Sequence, residues 1–550
     1  MRVLGINAIF HDPAAALVVD GEIVAAAEEE RFTRRKHGKR PVPFSAWELP
    51  EQAARWCLQS AGIAPEELDA VAYSYDPALV QPDMAGLDER WEDLRTTYAR
   101  RAPHFLATAL PELDPAIVQF VPHHIAHAAS AGLAAPFRDS AVLVADGRGE
   151  AASYLAGRYH DGELEVLASQ ELPHSLGLMY EEVTDHLGFL RSSDEYKVMA
   201  LASYGRQPAT EPALLPTLRE LVYPTGDGGF VVRPIDWSEL AKRRAPDEEL
   251  QPEHVELAAA VQVRLEEVLL ELAWWLHRRT GERRLAMAGG VALNCVANTR
   301  LAAQGPFEEL WVQPAAGDAG TALGGALHLA QAFGEPITPM PGADLGRGFS
   351  DEELTRWLDD AHIRYERPPD IAAAAADALA ADAIVAWFQG RSEFGPRALG
   401  HRSLLAHPGN ARNLDRLNAV KGREQFRPVA PMVLAERAAE LFDRGPLPSP
   451  YMLFVHDVAP RWRDRIPAVV HVDGTARIQT VDRDSEPLLA RLLDRFAELT
   501  GLPTVVNTSL NTAGRPMVDD PRDALECFGS APVDVLVLGP FLVRRCELTR

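Results

Sequence analysis

Cysteine is nearly absent from this chain. Its four cysteines, Cys57, Cys295, Cys527 and Cys546, are scattered and form no CxxC pair. That excludes zinc-finger and thioredoxin-type chemistry and points to reduced thiols in the cytoplasm. Positive charge is also in deficit: the formal net charge is -24. A nucleic-acid partner needs a basic surface, so this balance argues against one. No uncharged apolar run approaches the roughly 20 residues of a membrane span. No signal peptide is visible, since Met1 to Asn7 already reads as a strand entering a turn. Lysine is scarce beside arginine, being confined to Lys36, Lys39, Lys197, Lys242 and Lys421.

What is present describes a globular protein. Hydrophobic residues make up 47% and charged residues 24% of 550 residues, too long a chain for one core, so two or three domains are expected. One local basic run, Arg31 to Arg40, would ordinarily be a solvated face, but it contains His37 and lies in a motif-rich segment. Residues 1–30 read as strand, polar turn (Asn7 to Pro13), strand, Asp20-Gly21 hairpin, strand. Glu51 to Gly62 reads as an amphipathic helix. Residues 141–171 repeat the first pattern: strand, Asp146-Gly147-Arg148-Gly149-Glu150 turn, strand, Asp161-Gly162 hairpin, strand. This duplication outlines an actin-like ATPase (ASKHA) fold, in which two such turns face one nucleotide. Residues 254–279 form a long helix. Leu285 to Asn294 then reads as strand, Gly289-Gly290 turn and helix, where glycines let backbone amides approach a ligand.

His123 and His127 are four apart in an alanine-rich run. On a helix their imidazoles share one face, one turn apart. Asp146 ends the apolar run Ser140 to Ala145, and Asp318 lies in the turn Gly317-Asp318-Ala319-Gly320. Two imidazoles and two carboxylates make an N/O site suited to iron, manganese or zinc.

Pro336 to Gly348 reads as a linker, dividing a first domain at 1–340 from a second α/β domain at 350–550. The second has apolar strands at Ala383 to Phe388, Pro503 to Val506 and Val533 to Leu538. Cations crowd its polar turns: Arg391, Arg397 and Arg402 among Gly390 to Ser403, then Lys421, Arg423 and Arg427, then Arg477, with Asn507 to Asn511 closing the set. Arginine matches phosphate bidentately and lysine supplies a point charge. Cations set among glycine and Ser/Asn turns point to an oxyanion site.

With these pieces in place the chain resembles the NodU/CmcH O-carbamoyltransferases over essentially its whole length. The resemblance rests on Gly5-Ile-Asn7 with His11-Asp12, Glu28 to Thr33 with Lys36-His37, His123-His-x-x-His127-Ala and Asp146-Gly-x-Gly-Glu150. It continues through Pro173 to Gly177, Asp194 to Lys197, Gly289 to Asn294, Gly317 to Gly320, Glu393 to Gly400 and Asn507 to Asn511. One departure stands at Ala200 and Ser203, where the family usually carries glycine and proline. The resemblance implies a metal-binding, actin-like first domain akin to the tRNA threonylcarbamoylation ATPase-fold subunit, and a YrdC-like second domain.

It further implies that carbamoyl phosphate is held by Lys421, Arg423, Arg477, Ser509 and Asn511, with Arg397 and Arg427 as further members. Carbamate released there would react with ATP, supplied with magnesium, in the first domain to give carbamoyl adenylate and pyrophosphate. The metal would be held by His123, His127, Asp146 and Asp318. The nucleotide would meet Gly147, Glu150, Gly289, Gly290, Asn294, Gly317 and Asp318, with Lys197 near the phosphates or the acceptor. A hydroxyl of a small-molecule natural product, of antibiotic type, would then take the carbamoyl group. His11 is the first choice of base, with Asp12 and His37 as alternatives. A homo-oligomer is left open. The rival readings are a tRNA threonylcarbamoylation-type enzyme, which the charge opposes, and a non-catalytic nucleotide- or metal-responsive binding protein.

Overall fold

The computed structural model describes residues 1–38, 48–81, 89–205 and 210–545. Lys39 and Arg40 of the basic run, and Cys546, lie outside them. The chain divides into two compact units, Met1–Pro341 and Gly342–Arg550.

Unit 1 contains the same sheet twice. In the first, β1 (Arg2–Asn7), β2 (Ala14–Val19) and β3 (Glu22–Glu28) form an antiparallel meander, and β4 (Ala70–Tyr73) and β5 (Val118–Phe120) add in parallel on the other side of β1. The order is β3-β2-β1-β4-β5. In the second, β6 (Ser140–Ala145), β7 (Ala152–His160) and β8 (Glu163–Glu171) make the meander. A small hairpin, β9 (Val222–Pro224) with β10 (Phe230–Val232), stands apart. Then β11 (Arg284–Ala288) and β12 (Glu309–Val312) add in parallel beside β6. The order β12-β11-β6-β7-β8 repeats the first sheet strand for strand. This doubled mixed sheet is the architecture expected from the repeated strand–turn–hairpin pattern. β6 is wholly buried because it is central in its sheet, and so it reads as an unbroken apolar run.

A helix follows the fifth strand of each half: His123–Gly132 after β5 and Ala319–Ala332 after β12. The two pack together through small residues. A Cβ on Gly324 would lie 1.8 Å from the carbonyl oxygen of Ala126, so only glycine permits this crossing. The contact sets the distance between the two halves of the candidate site.

Unit 2 is built on a seven-stranded mixed sheet. Its strands are β13 (Val385–Phe388), β14 (Arg402–Ala406), β15 (Ala430–Leu434), β19 (Gln479–Val481), β20 (Thr504–Ser509), β21 (Val535–Leu538) and β22 (Phe541–Arg544), in the order β19-β15-β20-β14-β13-β21-β22. A separate small sheet joins β16 (Phe442–Asp443), β17 (His456–Val458) and β18 (Thr475–Ala476). Helix Pro487–Thr500 lays Leu489, Leu492, Leu493 and Phe496 into the core with Trp387 and Phe388. Among the described residues no helix is long and apolar enough to cross a membrane, and the three described cysteines are buried and form no disulfide.

Candidate functional site

The two halves of unit 1 meet at four side chains. His123 and His127 project from the helix after β5, Asp146 ends β6, and Asp318 precedes the helix after β12. One ligand atom from each lies within 4.8 Å of all the others, and all four residues are buried. His123 Nε2 is 3.5 Å from Asp146 Oδ2 and 3.6 Å from Asp318 Oδ1, and His127 Nε2 is 3.7 and 3.6 Å from the same atoms. These separations exceed hydrogen bonds, and among the described residues the Nε2 atoms of both histidines have no hydrogen-bond partner. Buried ring nitrogens converging on two carboxylates at such spacing fit a shared cation.

The surroundings aim the ligands. His123 Nδ1 meets the Ser74 carbonyl at 3.2 Å, which puts the proton on Nδ1 and turns Nε2 to the cluster. The helix carrying His123 begins after Pro122 with no cap from its own side chains. Glu150 supplies one from the β6–β7 turn, its Oε1 accepting the N–H groups of His123 (2.8 Å) and Asp76 (2.7 Å). Asp146 Oδ1 accepts the Gly290 N–H at 2.9 Å. Gly289 precedes it with φ +90°, and a Cβ there would meet the Ala145 oxygen at 2.2 Å. Burial pushes the His123 imidazole down, but Asp146 and Asp318 hold it well above the ordinary histidine value. Burial pushes Asp146 up, yet His123 and His127 hold it well below the usual carboxylate range. His124, in the same run, is pushed down to about 3 by burial and by His123, and stays neutral.

The first turn, between β1 and β2, bears His11 and Asp12. Asn7 Nδ2 donates to both of their carbonyls, at 3.0 and 2.9 Å. Asp12 is bridged by two imidazoles: Oδ2 to His11 Nδ1 at 2.8 Å and Oδ1 to His37 Nδ1 at 2.9 Å. Burial lowers His11, but Asp318 and then Asp12 raise it well above the ordinary value.

Other expected nucleotide contacts have internal partners. Asn294 exchanges amide hydrogen bonds with Gln262 (2.9 and 3.0 Å) and caps helix Cys295–Gln304 through Ala297. Lys197 pairs with Asp194 at 2.9 Å. Gly147 and Gly317 lie in turns beside Asp146 and Asp318, with Glu181 near the first and Leu293 near the second. In the basic run, Arg31 is buried against Glu28, so it does not belong to a solvated face.

In unit 2, buried Lys421 donates to the Ser509 carbonyl (2.6 Å), to Ser509 Oγ (2.9 Å) and to Asn511 Oδ1. Arg423 bonds Asn418 Oδ1 at 2.6 Å in the same turn, and Arg427 lies 3.7 Å from Glu424. Asn507, two residues before Ser509, donates to the Ala398 carbonyl (3.1 Å) and to Gln479 Oε1 (2.7 Å). It therefore ties the segments bearing Arg397 and Arg477 to β20. Arg477 is near enough to His471 to help burial push that imidazole down to about 4. Arg402 stands otherwise than its turn-like sequence suggested. It is buried in β14, bonds the Gln389 and Arg347 carbonyls and stacks on Phe388 at 3.7 Å, so its role is structural. Sequence reasoning singled out the motif opened by Glu393 without giving that residue a role; its Oε1 accepts the N–H groups of Leu399, His401 and Arg402 and shapes the Arg397 loop.

Fold and site together define a two-unit α/β protein with a buried His/Asp cluster that could hold a cation in a duplicated sheet domain, and a Lys421–Ser509–Asn511 turn cluster in a second. The sequence matches the family described as Carbamoyltransferase N-terminus over residues 2–110 and 97–327, and Carbamoyltransferase C-terminus over residues 376–545. An uncharacterized protein of Synechocystis sp. is 37% identical over 99% of this chain and 97% of its own length. Nodulation protein NolNO of Sinorhizobium fredii is 38% identical over 98% of this chain and 80% of its own. Among solved structures, T. kodakarensis HypF is 14% identical over 61% of this chain and 48% of that one, with a TM-score of 0.33, too distant to add to the argument from topology. The chain belongs to the carbamoyltransferase family and is a carbamoyltransferase enzyme.

Proposed function

We propose that this carbamoyltransferase uses ATP to move the carbamoyl group of carbamoyl phosphate onto a hydroxyl of a small molecule. The observation that carries the reading is the pair of buried His123 and His127 Nε2 atoms facing Asp146 and Asp318 with no hydrogen-bond partner among the described residues. These four residues would hold a divalent cation, iron with manganese or zinc as alternatives, which supplies positive charge against phosphate oxygens.

Unit 2 is the YrdC-like half of this reading. The Lys421-Gly422-Arg423 turn and the Ser509 and Asn511 side chains support it. Lys421, Arg423, Arg477 and Ser509 would hold the phosphate of carbamoyl phosphate, with Arg397, Arg427 and Asn511 around them, and hydrolysis would release carbamate and phosphate. Carbamate is a stabilised anion and a poor electrophile, so it needs a better leaving group. In unit 1 its oxygen would attack the α-phosphate of ATP, giving carbamoyl adenylate and pyrophosphate. The nucleotide would approach the Gly147, Gly289, Gly290 and Gly317 turns. Lys197 would stand near the phosphates or the acceptor. His11 would take the proton of the acceptor hydroxyl as its oxygen attacks the carbamoyl carbon and AMP leaves. The net charge of -24 opposes a tRNA acceptor.

The test incubates the protein with carbamoyl phosphate, ATP and a panel of hydroxylated natural products, read by mass. A gain of one carbamoyl group with matching AMP and pyrophosphate supports the proposal. Carbamoylation without ATP would refute it.

A further inference from the structure

The bridge at Asp12 continues beyond His11. His37 Nδ1 binds Asp12 Oδ1 at 2.9 Å, and His37 Nε2 is 2.8 Å from Ser193 Oγ. Four groups from three segments therefore form one chain: His11, Asp12, His37 and Ser193. An ionised carboxylate only accepts hydrogen bonds, so both Nδ1 atoms that touch Asp12 carry protons. With its proton on Nδ1, the His37 ring can offer the Nε2 lone pair to the Ser193 hydroxyl. Against burial, Asp318 and Asp12 raise His11; when it gives up its second proton, the remaining one stays on Nδ1 against Asp12 and the lone pair is on Nε2, the atom a base must use.

The segments are held in costly conformations. Phe10 and Asp12 in the first turn, His37 in the second segment and Ser192 beside Ser193 all have positive φ, between 51° and 62°. None is glycine, and such strain persists only where surrounding contacts enforce it. Those contacts are present. Asn7 pins the first turn, Glu30 Oε2 accepts the His37 N–H at 2.7 Å, and Glu195 Oε1 accepts the Ser192 N–H at 2.8 Å.

We infer that His37, fixed by Ser193, is a positioning residue for carbamoyl transfer: it holds Asp12 so that His11 keeps its proton on Nδ1 and presents Nε2 to the acceptor hydroxyl. This rests on the reading of His11 as the base. In the transfer step the hydroxyl proton passes to His11 Nε2 and the oxygen bonds the carbamoyl carbon. The bond from that carbon to the phosphate oxygen breaks and AMP leaves. The proton on His11 is then lost to solvent.

The experiment compares two nucleophiles with the full chain, ATP and carbamoyl phosphate. Water stands in for a hydroxyl that needs a base and is read as AMP release. Hydroxylamine attacks without one and is read as ATP-dependent N-hydroxyurea. His37→Ala should slow attack by water about tenfold, the lower end for loss of a partner that orients a functional group, and leave trapping by hydroxylamine unchanged. Ser193→Ala should act in the same direction. His37→Gln, whose amide offers one donor and one acceptor, should restore the rate with water. An equal loss for both nucleophiles, no loss, or no rescue by His37→Gln would overturn the proposal. His11→Ala separates it from its premise. If that variant keeps the wild-type rate with water, His11 is not the base. If wild type forms no AMP with either nucleophile, the adenylate reading itself fails.

Discussion

Glu150 caps the helix that carries His123, from 27 positions away, through a 2.8 Å hydrogen bond to the His123 N–H. Its other backbone donor, Asp76, follows the end of β4. One carboxylate thus fixes the β6–β7 turn, the end of β4 and the first histidine of the His/Asp cluster. Glu150→Ala should lower thermal stability by about 1 kcal/mol, as for a lost cap. It should also weaken metal binding by about tenfold or more, as for a lost orienting partner. Thermal melts with metal titration check both. Unchanged metal affinity would mean that the cap does not orient His123.

His127→Ala should remove most bound metal and abolish formation of AMP and pyrophosphate. Phosphate release from carbamoyl phosphate should survive, because Lys421 and Ser509 belong to the other unit. Elemental analysis of the purified variant, together with the two product assays, decides the matter. Full metal content would defeat the assignment.

Metal binding should strengthen as pH rises. In the metal-free protein Asp146 and Asp318 raise His123 above its ordinary value. That stabilising pairing is fully present below about pH 6.5 and is lost as pH climbs through the raised value. A cation needs the same nitrogens unprotonated and releases protons on binding. The rise in Tm on adding metal should therefore be larger at alkaline than at acid pH. A larger rise at acid pH would contradict the cluster's charge arrangement.

Lys421→Ala and Ser509→Ala should slow phosphate release from carbamoyl phosphate about a hundredfold, the effect of losing about 3 kcal/mol of oxyanion stabilisation. Turnover of pre-made carbamoyl adenylate should stay near normal. Equal damage to both activities in a folded variant would refute the division of labour.

Gly324→Ala should separate the helices that carry His127 and follow Asp318, since a Cβ would meet the Ala126 oxygen at 1.8 Å. We expect a loss of about 3 kcal/mol, the upper range for overpacking, and weakened metal binding. A stable variant with normal metal affinity would show that this crossing does not set the site.

Much of unit 1 was legible because its signals are local. β1 and β6 are apolar runs ended by polar turns, the hairpins follow Asp20-Gly21 and Asp161-Gly162, and His123 and His127 are one turn apart. Contacts set by distant chain segments were not legible. Glu150 and Asn294 read as ligand contacts, and nothing in the sequence announced their hydrogen bonds to the His123 amide and to Gln262. Nothing in the loop before Glu195 marked Ser193 as a partner of His37. In unit 2 the order of strands depends on long-range pairing. Arg402 looked like a turn residue because its burial rests on carbonyls of Gln389 and Arg347 and on the face of Phe388.

The most direct test of the two-step account supplies 13C-labelled carbamoyl phosphate and ATP without acceptor and examines the enzyme-bound products by mass spectrometry. The account predicts labelled carbamoyl adenylate, with one pyrophosphate and one phosphate released for each molecule formed. Release of ADP in place of AMP and pyrophosphate, or no labelled adenylate from a metal-loaded and folded enzyme, would contradict it.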